Sequence, residues 1–187
     1  ATMFEGGVRV PCIVAWPGIT SPNSRCDTLI QSEDFYPTML AGLNLQPGVG
    51  QVFDGVDLLP ALKGATIQRE DIFQYFPHSP PVPDWIPPSV SVHRGDWKLI
   101  RVFHAGSSGQ HRFHLYNLAD DVGETNNVAA KCPELVKELD ARIEQFLIRT
   151  DAVVPIANPA FDPSKYKPEK EGIQPVKRNK SERKKKS

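Results

Sequence analysis

Histidine and cysteine are the side chains in this sequence with the widest chemistry, because both can transfer protons, act as nucleophiles or bind metals. The chain has five histidines and three cysteines. Cys12, Cys26 and Cys132 form no Cys-x-x-Cys pair, so neither a structural zinc site nor a disulfide framework is indicated. Cys12 lies in an apolar run and is interpreted as a small buried residue. Gly-rich phosphate loops, Gly-x-Ser-x-Gly elbows and His-Glu-x-x-His pairs are absent from the sequence.

His78 is the best binding candidate among the histidines. It stands in Tyr75-Phe76-Pro77-His78-Ser79, at the start of a proline-rich loop whose restricted backbone can hold an imidazole outward at low entropic cost. Arg94 lies in a predicted hairpin turn, where packing and turn structure are its first roles and binding its second. The other histidines are interpreted as a polar residue on a strand face (His93) and as solvated hairpin residues (His104, His111, His114).

In the first third of the chain, hydrophobic patterning predicts one strand and two helices. Val8–Trp16 is apolar, rich in β-branched residues and followed by Pro17-Gly18, which predicts a mostly buried strand. Ser32 and two acidic residues precede an apolar segment, which predicts a helix capped by Ser32 and ending near Gly42. A second, short helix is predicted over 58–62.

The middle of the chain has the pattern of a small antiparallel sheet. A strand is predicted over 71–76, a surface loop over the six prolines between 77 and 88, and a hairpin over 89–103. A further strand covers 113–118, and apolar residues spaced three to four apart predict an amphipathic helix over 133–149. The predicted fold class is therefore α+β, a small antiparallel sheet with a helix packed on it.

Charge is distributed unevenly along a chain whose formal net charge is zero. Residues 165–187 carry 10 Lys or Arg against 3 Glu, net +7, which leaves 12 against 19, net −7, for residues 1–164. The acidic body argues against a nucleic-acid-binding face on the folded part, because phosphates would be repelled. The basic segment, predicted to be disordered, is the one part suited to binding polyanions.

Length and hydropathy predict an ordinary globular chain without a membrane partner. The 187 residues correspond to about one domain, and no apolar run approaches the roughly 18 residues of a membrane span. The first residues lack the layout of a signal peptide. The chain does not begin with Met and opens inside a motif, so we expect it to be part of a longer protein.

A series of motifs in a fixed order resembles the second half of a type I sulfatase, in the alkaline-phosphatase-like superfamily. The motifs are Phe4-Glu5-Gly6-Gly7-Val8-Arg9-Val10-Pro11, Trp16-Pro17-Gly18, Asp34-Phe35-Tyr36-Pro37-Thr38-Met39-Leu40, Asp54-Gly55-Val56-Asp57-Leu58, Tyr75-Phe76-Pro77-His78, Arg94-Gly95-Asp96-Trp97-Lys98-Leu99-Ile100 and Leu115-Tyr116-Asn117-Leu118. The resemblance implies that residues 1–64 end the large sulfatase domain, 65–150 form the small C-terminal subdomain, and 151–187 form an extended arm and basic tail.

The resemblance implies hydrolysis of a sulfate ester by a formylglycine nucleophile beside a calcium ion. In the family the formylglycine arises from a Cys or Ser in a Cys/Ser-x-Pro-x-Arg motif, and none of the 187 residues forms that motif. The family's active-site Lys aligns just before Ala1, and the calcium ligands precede it. No catalytic residue and no metal ligand is therefore carried over to this chain, and the missing N-terminal part of the same protein is an expected partner.

The resemblance assigns this chain supporting residues only. Glu5 and Arg9 would contact the active site from behind the missing Lys, a salt bridge or capping role in the fold being the alternative. His78 and Arg94 would contact a sulfated substrate, which we expect to be a carbohydrate. Rival interpretations are a phosphonate or phosphate monoester hydrolase of the same superfamily and a non-catalytic domain that binds polyanions through its tail. The family's usual locations imply a periplasmic, extracellular or lysosomal enzyme.

Overall fold

The computed structural model describes residues 3–78, 88–106, 108–160, 162, 164 and 165. Their helices and strands are α1 (Glu5–Val8), a 3-10 turn (Ser32–Asp34), α2 (Phe35–Gly42), α3 (Leu59–Leu62), β1 (Asp71–Phe76), β2 (Ser89–Arg94), β3 (Trp97–Val102), β4 (Arg112–Asn117) and α4 (Pro133–Arg149). They form two compact units, one of Val10–Ile72 and one of the residues up to Arg9 together with those from Phe73 onward. The domain boundary predicted after residue 64 lies before β1, whereas the two compact units divide after Ile72. The residues up to Arg9 belong to the unit that contains the sheet.

The sheet has the strand order β1-β2-β3-β4 within the described residues. β2 and β3 are antiparallel and pair from Ser89↔Val102 to Arg94↔Trp97, which leaves Gly95 and Asp96 as the turn. Gly95 has a φ of +56°, the left-handed conformation that a two-residue hairpin requires. β3 and β4 are also antiparallel, so the predicted hairpin and third strand are confirmed.

Both faces of the central strands are buried. On one face, α4 packs three side chains, Leu139, Ile143 and Leu147, against the buried core of the sheet. On the other face, Met3 and Phe4 pack against buried side chains of β3 and β4. The α+β layer predicted from the sequence is confirmed, but the cover on its second face comes from the beginning of the chain.

Replacing Ile143 with alanine is expected to lower the free energy of unfolding by about 3 kcal/mol, because its side chain is fully buried between α4 and the sheet and its removal leaves a cavity. Urea unfolding of the chain at micromolar concentration, followed by Trp fluorescence, measures the change. Ile148→Ala is the matched control, since Ile148 lies on the same helix and is 77% exposed. Equal losses for the two variants would contradict the packing described here.

Asp34 organises the unit formed by Val10–Ile72. Its fully buried carboxylate accepts hydrogen bonds from the N–H of Gln31 at 2.6 Å, from the N–H of Val56 at 2.9 Å and from the guanidinium of Arg69 at 2.6 Å. Position 55 requires glycine, because the Cβ of any other residue would lie 2.2 Å from the Glu33 carbonyl oxygen. The predicted helix is confirmed as α2, but Asp34 rather than Ser32 makes the capping contact with the preceding backbone.

The predicted strand over Val8–Trp16 is wrong. Val8 ends the short helix α1, and residues 10–16 lie in neither helix nor strand. Val10 and Ile13 are 77% and 95% exposed, and Cys12, expected to be buried, is also exposed. A strand requires a neighbouring backbone to satisfy its N–H and C=O groups, and among the described residues none pairs with this segment.

Two sequence predictions fall outside the described residues: the proline-rich loop over 79–87 and the disordered segment from residue 166 onward. The arm from 152 to 160 is described and contains neither helix nor strand, in agreement with its proline spacing. None of the helices in the described part of the chain is long and apolar enough to span a membrane.

Candidate functional site

A buried cluster of charges ties the beginning of the chain to the sheet. The ammonium group of Lys98 on β3 lies 2.7 Å from the Glu5 carboxylate on α1 and 3.0 Å from the Glu124 carboxylate. The side chains are 1%, 10% and 3% exposed for Lys98, Glu5 and Glu124. Arg9, one turn after Glu5 and largely exposed, approaches the same carboxylate at 3.6 Å. The cluster joins three segments that are distant in sequence.

The turn that carries Glu124 is fixed by its own hydrogen bonds. The Asp121 carboxylate accepts bonds from the N–H groups of Thr125 and Asn126 at 3.0 and 2.8 Å, which lowers the pKa of Asp121. Glu124 has a φ of +52°, a strained conformation for a residue other than glycine. Its carboxylate also accepts a hydrogen bond from the N–H of Glu5. Glu124 is therefore held by the fold to receive both the Lys98 ammonium and the first turn of α1.

His78 and Arg94 are the two residues for which the sequence predicted substrate contact. His78 follows β1, is exposed, and sets its ring edge-on to Phe76 with 5.4 Å between ring centroids. Arg94 ends β2, is half-buried, and pairs across the hairpin with Trp97. Glu5 and Arg9 are brought together, as an ion pair that also includes Lys98. Substrate contact by His78 and Arg94, and contact of Glu5 and Arg9 with an active site, stay predictions.

His111 and His114 are less solvated than the sequence indicated, and His93, predicted on a strand face, is also buried. Burial lowers the pKa of His93, which is 9% exposed, and that of His111. Burial, reinforced by the neighbouring positive charge of Arg112, lowers the pKa of His114 from 6.5 to about 4. His114 sits on β4, and its ring lies beside the rings of Phe4 and Tyr116, with 6.0 and 6.4 Å between centroids. The interpretation of His114 as a solvated hairpin residue is wrong, because residues 3 and 4 cover that face.

Acid is expected to destabilise the sheet unit through His114. Because its pKa is lower in the folded chain than in the unfolded one, the unfolded chain binds a proton more readily, and stability is lost as the pH falls from 6.5 to about 4. The slope is at most about 1.4 kcal/mol per pH unit for one group. His93 and His111 act in the same direction, whereas Asp140, whose pKa is raised by burial, opposes them.

His114→Gln should flatten the dependence of unfolding free energy on pH in this interval, as measured by denaturant titrations at steps of half a pH unit. His78→Gln, the same substitution at an exposed histidine that follows β1, is the control. A wild-type slope retained in the His114 variant would show that other groups account for it.

The described residues contain no group of three or more His, Cys, Asp or Glu side chains placed to hold a metal ion. The calcium implied by the sequence resemblance therefore finds no ligand set in the described part of this chain. No chemical step at a metal is assigned to these residues.

Sequence reasoning missed Lys98 and Arg101, the two buried cations of β3. Arg101 is 1% exposed and forms ion pairs with Asp140 and Glu144 of α4, on the sheet face opposite Lys98. One available signal was the pattern of α4, which places Asp140 and Glu144 one turn apart. No comparable local signal linked Lys98 to Glu5, 93 residues earlier in the chain.

Comparison with solved structures shows the same fold as part of a longer chain. The candidate sulfatase yidJ of Bacteroides fragilis superposes with a TM-score of 0.58 at 18% identity, over 74% of this chain and 29% of its own. At that identity the likeness defines the fold alone.

Sequence comparison identifies the family to which the chain belongs. The family model described as N-sulphoglucosamine sulphohydrolase, C-terminal, matches residues 1–149, and the chain belongs to this family. A sulfatase of Formosa agariphila is 34% identical over 162 residues, covering 81% of this chain and 29% of the relative. Human arylsulfatase A is 32% identical over 175 residues, covering 82% and 33%. The chain thus spans about a third of the length of these relatives, and the resemblance to the C-terminal part of a sulfatase is confirmed.

Proposed function

We propose that the protein containing this chain hydrolyses sulfate esters, and that the chain supplies the C-terminal part of the enzyme. The observation that carries this proposal is the family match over residues 1–149, which includes both the α1 segment and the whole sheet with α4. The chemistry is expected to use a formylglycine and a calcium ion outside the 187 residues, as in the family that the sequence resembles.

A sulfated carbohydrate is the proposed substrate class. The matching family takes its description from a sulfohydrolase of N-sulphoglucosamine, a sulfated sugar. The Tyr75-Phe76-Pro77-His78 segment, which resembles sulfatases acting on glycans, leaves β1 with His78 exposed. An imidazole there can exchange hydrogen bonds with sugar hydroxyls as donor or acceptor. Arg94 is proposed as a second contact, suited to a sulfate because a guanidinium binds oxyanions through two parallel N–H groups.

The remainder of the same protein is the proposed partner of the unit formed by Val10–Ile72. That unit exposes large apolar side chains along most of its length, a surface that would be costly to leave in water. The residues are Val10, Ile13, Phe35, Tyr36, Met39, Leu43, Leu45, Val49, Val52 and Val56. We expect the N-terminal part of the enzyme to cover them.

The direct test is turnover by the full-length protein on three esters: a sulfated glycosaminoglycan disaccharide, 4-nitrophenyl sulfate and a phenyl phosphonate monoester. We expect the sulfate esters to be hydrolysed and the phosphonate to react far more slowly. Full-length protein whose formylglycine precursor is replaced by alanine is the control for contaminating activity. Preference for the phosphonate would support the rival hydrolase instead, and no turnover of any ester would contradict the proposed activity.

His78→Ala in the full-length enzyme is expected to lower kcat/KM for the carbohydrate sulfate by about tenfold, as for the loss of one hydrogen bond to substrate, and to leave 4-nitrophenyl sulfate nearly unaffected. A residue that contacts the sugar can act only when the sugar is present. Lys137→Ala, an exposed change on α4, is the control. Equal losses on both substrates would indicate a structural role, and no loss on either would remove His78 from the site.

Polyanion binding by the basic segment is the remaining alternative from another functional class. A heparin affinity that falls steeply with salt and is lost on deletion of residues 165–187, in a protein without esterase activity, would favour it. The periplasmic, extracellular or lysosomal location stays part of the proposal, supported by the family resemblance alone.

A further inference from the structure

His104 makes an unusual pair of contacts, since both of its ring nitrogens face backbone carbonyl oxygens. Nδ1 lies 3.0 Å from the carbonyl oxygen of Gly109, and Nε2 lies 3.0 Å from that of Pro155. A carbonyl oxygen only accepts hydrogen bonds, and a neutral imidazole carries a single N–H. Both contacts are hydrogen bonds only when the ring carries two protons and is therefore positively charged.

The Pro155 contact holds an arm that has few other attachments. After α4 the chain continues through Ala152, which packs against the core, to Val153 and Ile156, which are 82% and 88% exposed. Within the described residues, the Tyr75 hydroxyl donates a hydrogen bond to the Val153 carbonyl oxygen, and the N–H of Ala152 donates to the Leu147 carbonyl oxygen at 3.0 Å. With so little buried apolar surface, docking of the arm depends strongly on these two bonds to its carbonyl groups.

The surroundings of His104 orient its ring. Its backbone has a φ of +52°, a strained conformation that the neighbouring structure must maintain. Its N–H donates to Nδ1 of His111 at 3.2 Å, and the two rings lie 4.9 Å apart. His111 therefore accepts at Nδ1, and a lowered pKa, caused first by burial and then by Arg101, keeps it neutral beside a charged His104.

We infer that His104 is a proton-dependent latch that holds residues 152–156 against the sheet when its imidazole is doubly protonated. Loss of one ring proton sets a nitrogen lone pair against a carbonyl oxygen, so either the Gly109 contact or the Pro155 contact is broken. The Gly109 contact lies only five residues from His104, whereas the Pro155 contact spans 51 residues. The arm is the segment that is released, because the short loop keeps Gly109 close whether or not the bond is made.

Other titratable groups near His104 and His111 lie on β1, β3 and α4. Arg101 of β3, together with Asp140 and Glu144 of α4, acts electrostatically on His111. Tyr75 of β1 contributes a hydroxyl whose pKa is raised by burial, so it remains a donor throughout the neutral range. Of the two histidines, only His104 bonds to the arm, which makes the two separable by substitution.

The test follows the arm in the full-length protein by ¹⁹F NMR, with a trifluoromethyl-phenylalanine in place of Ile156, which is 88% exposed. Across a pH titration from acid to alkaline, we expect the docked-to-free ratio of the arm to fall by about tenfold, as for the loss of one hydrogen bond from a charged donor. His104→Gln carries both of its N–H donors on one nitrogen and cannot replace donors at both Nδ1 and Nε2, so it should show a low ratio that does not change with pH.

Two further variants identify the group responsible. His111→Gln keeps an acceptor for the His104 N–H and removes the second imidazole, so the pH dependence should persist. Tyr75→Phe should loosen the arm at every pH without abolishing the dependence. A ratio independent of pH in the wild type, wild-type behaviour in His104→Gln, or loss of the dependence in His111→Gln would each overturn the inference.

Discussion

Replacing Lys98 with methionine is expected to lower the free energy of unfolding by roughly 3–5 kcal/mol, the range for breaking a buried ion pair by removing one partner. Methionine fills much of the lysine volume, so the loss comes from charge rather than from a cavity. The substitution leaves the carboxylates of Glu5 and Glu124, 10% and 3% exposed, without the ammonium that lies between them. Chemical denaturation of the variant measures the effect.

Charge as the cause is tested by a double substitution. Lys98→Met combined with Glu5→Gln removes one of the two stranded carboxylates and should recover part of the lost stability. Lys137→Met, on the exposed side of α4, is the control and should change stability by less than about 0.5 kcal/mol. A Lys98→Met variant as stable as the wild type, or a double variant less stable than Lys98→Met alone, would contradict the buried cluster.

The fold was predictable wherever the signal is local. The spacing of Leu135, Leu139, Ile143 and Leu147 depends on residues one turn apart, and α4 begins and ends within the predicted limits. The hairpin of β2 and β3 is equally local, because its strands alternate around a turn that needs the left-handed Gly95. In both cases the residues that form the element are also those that determine its stability.

Predictions that depended on distant partners were less accurate. Val8–Trp16 has the composition of a strand, but strand formation depends on a neighbouring backbone, and composition alone does not supply one. Lys98 lies in a correctly predicted strand, yet alternation of the pattern gave no reason to bury it. Its burial requires Met3 and Phe4 to cover the second sheet face and Glu5 to supply a counter-charge, a contact across 93 residues.

In the candidate site, too, features with a local sequence signal were predictable, and features that depend on distant residues were not. The family and the place of His78 after a strand could be identified from ordered motifs, whose residues are close in sequence. The environment of His114 could not be predicted from the sequence. Its pKa of about 4 is caused by burial, to which Phe4, some 110 residues earlier, contributes, and by the positive charge of Arg112. The His104 contacts were also hidden, since they join a ring to main-chain atoms, which carry no sequence signature.

The 187-residue chain alone is expected to show no sulfatase activity, whereas the proposed function predicts that the full-length protein turns over 4-nitrophenyl sulfate. His78 and Arg94, the proposed substrate contacts, cannot accelerate the reaction without a nucleophile and a charge that stabilises the transition state. The chain has no Cys/Ser-x-Pro-x-Arg motif, and its described residues offer no cluster of three metal-binding side chains. The difference should exceed about a thousandfold, since nucleophile and electrostatic stabilisation are removed together.

This expectation is checked with purified chain and full-length protein at equal molar concentration, each beside its heat-inactivated sample and in the presence of added calcium. Circular dichroism and a cooperative thermal transition establish that the isolated chain is folded, so that a lack of turnover reflects missing groups rather than unfolding. Release of 4-nitrophenol by the folded chain above its inactivated control would contradict the assignment of the catalytic machinery to the N-terminal part. Such a result would require a nucleophile within the 187 residues that none of the motifs reveals.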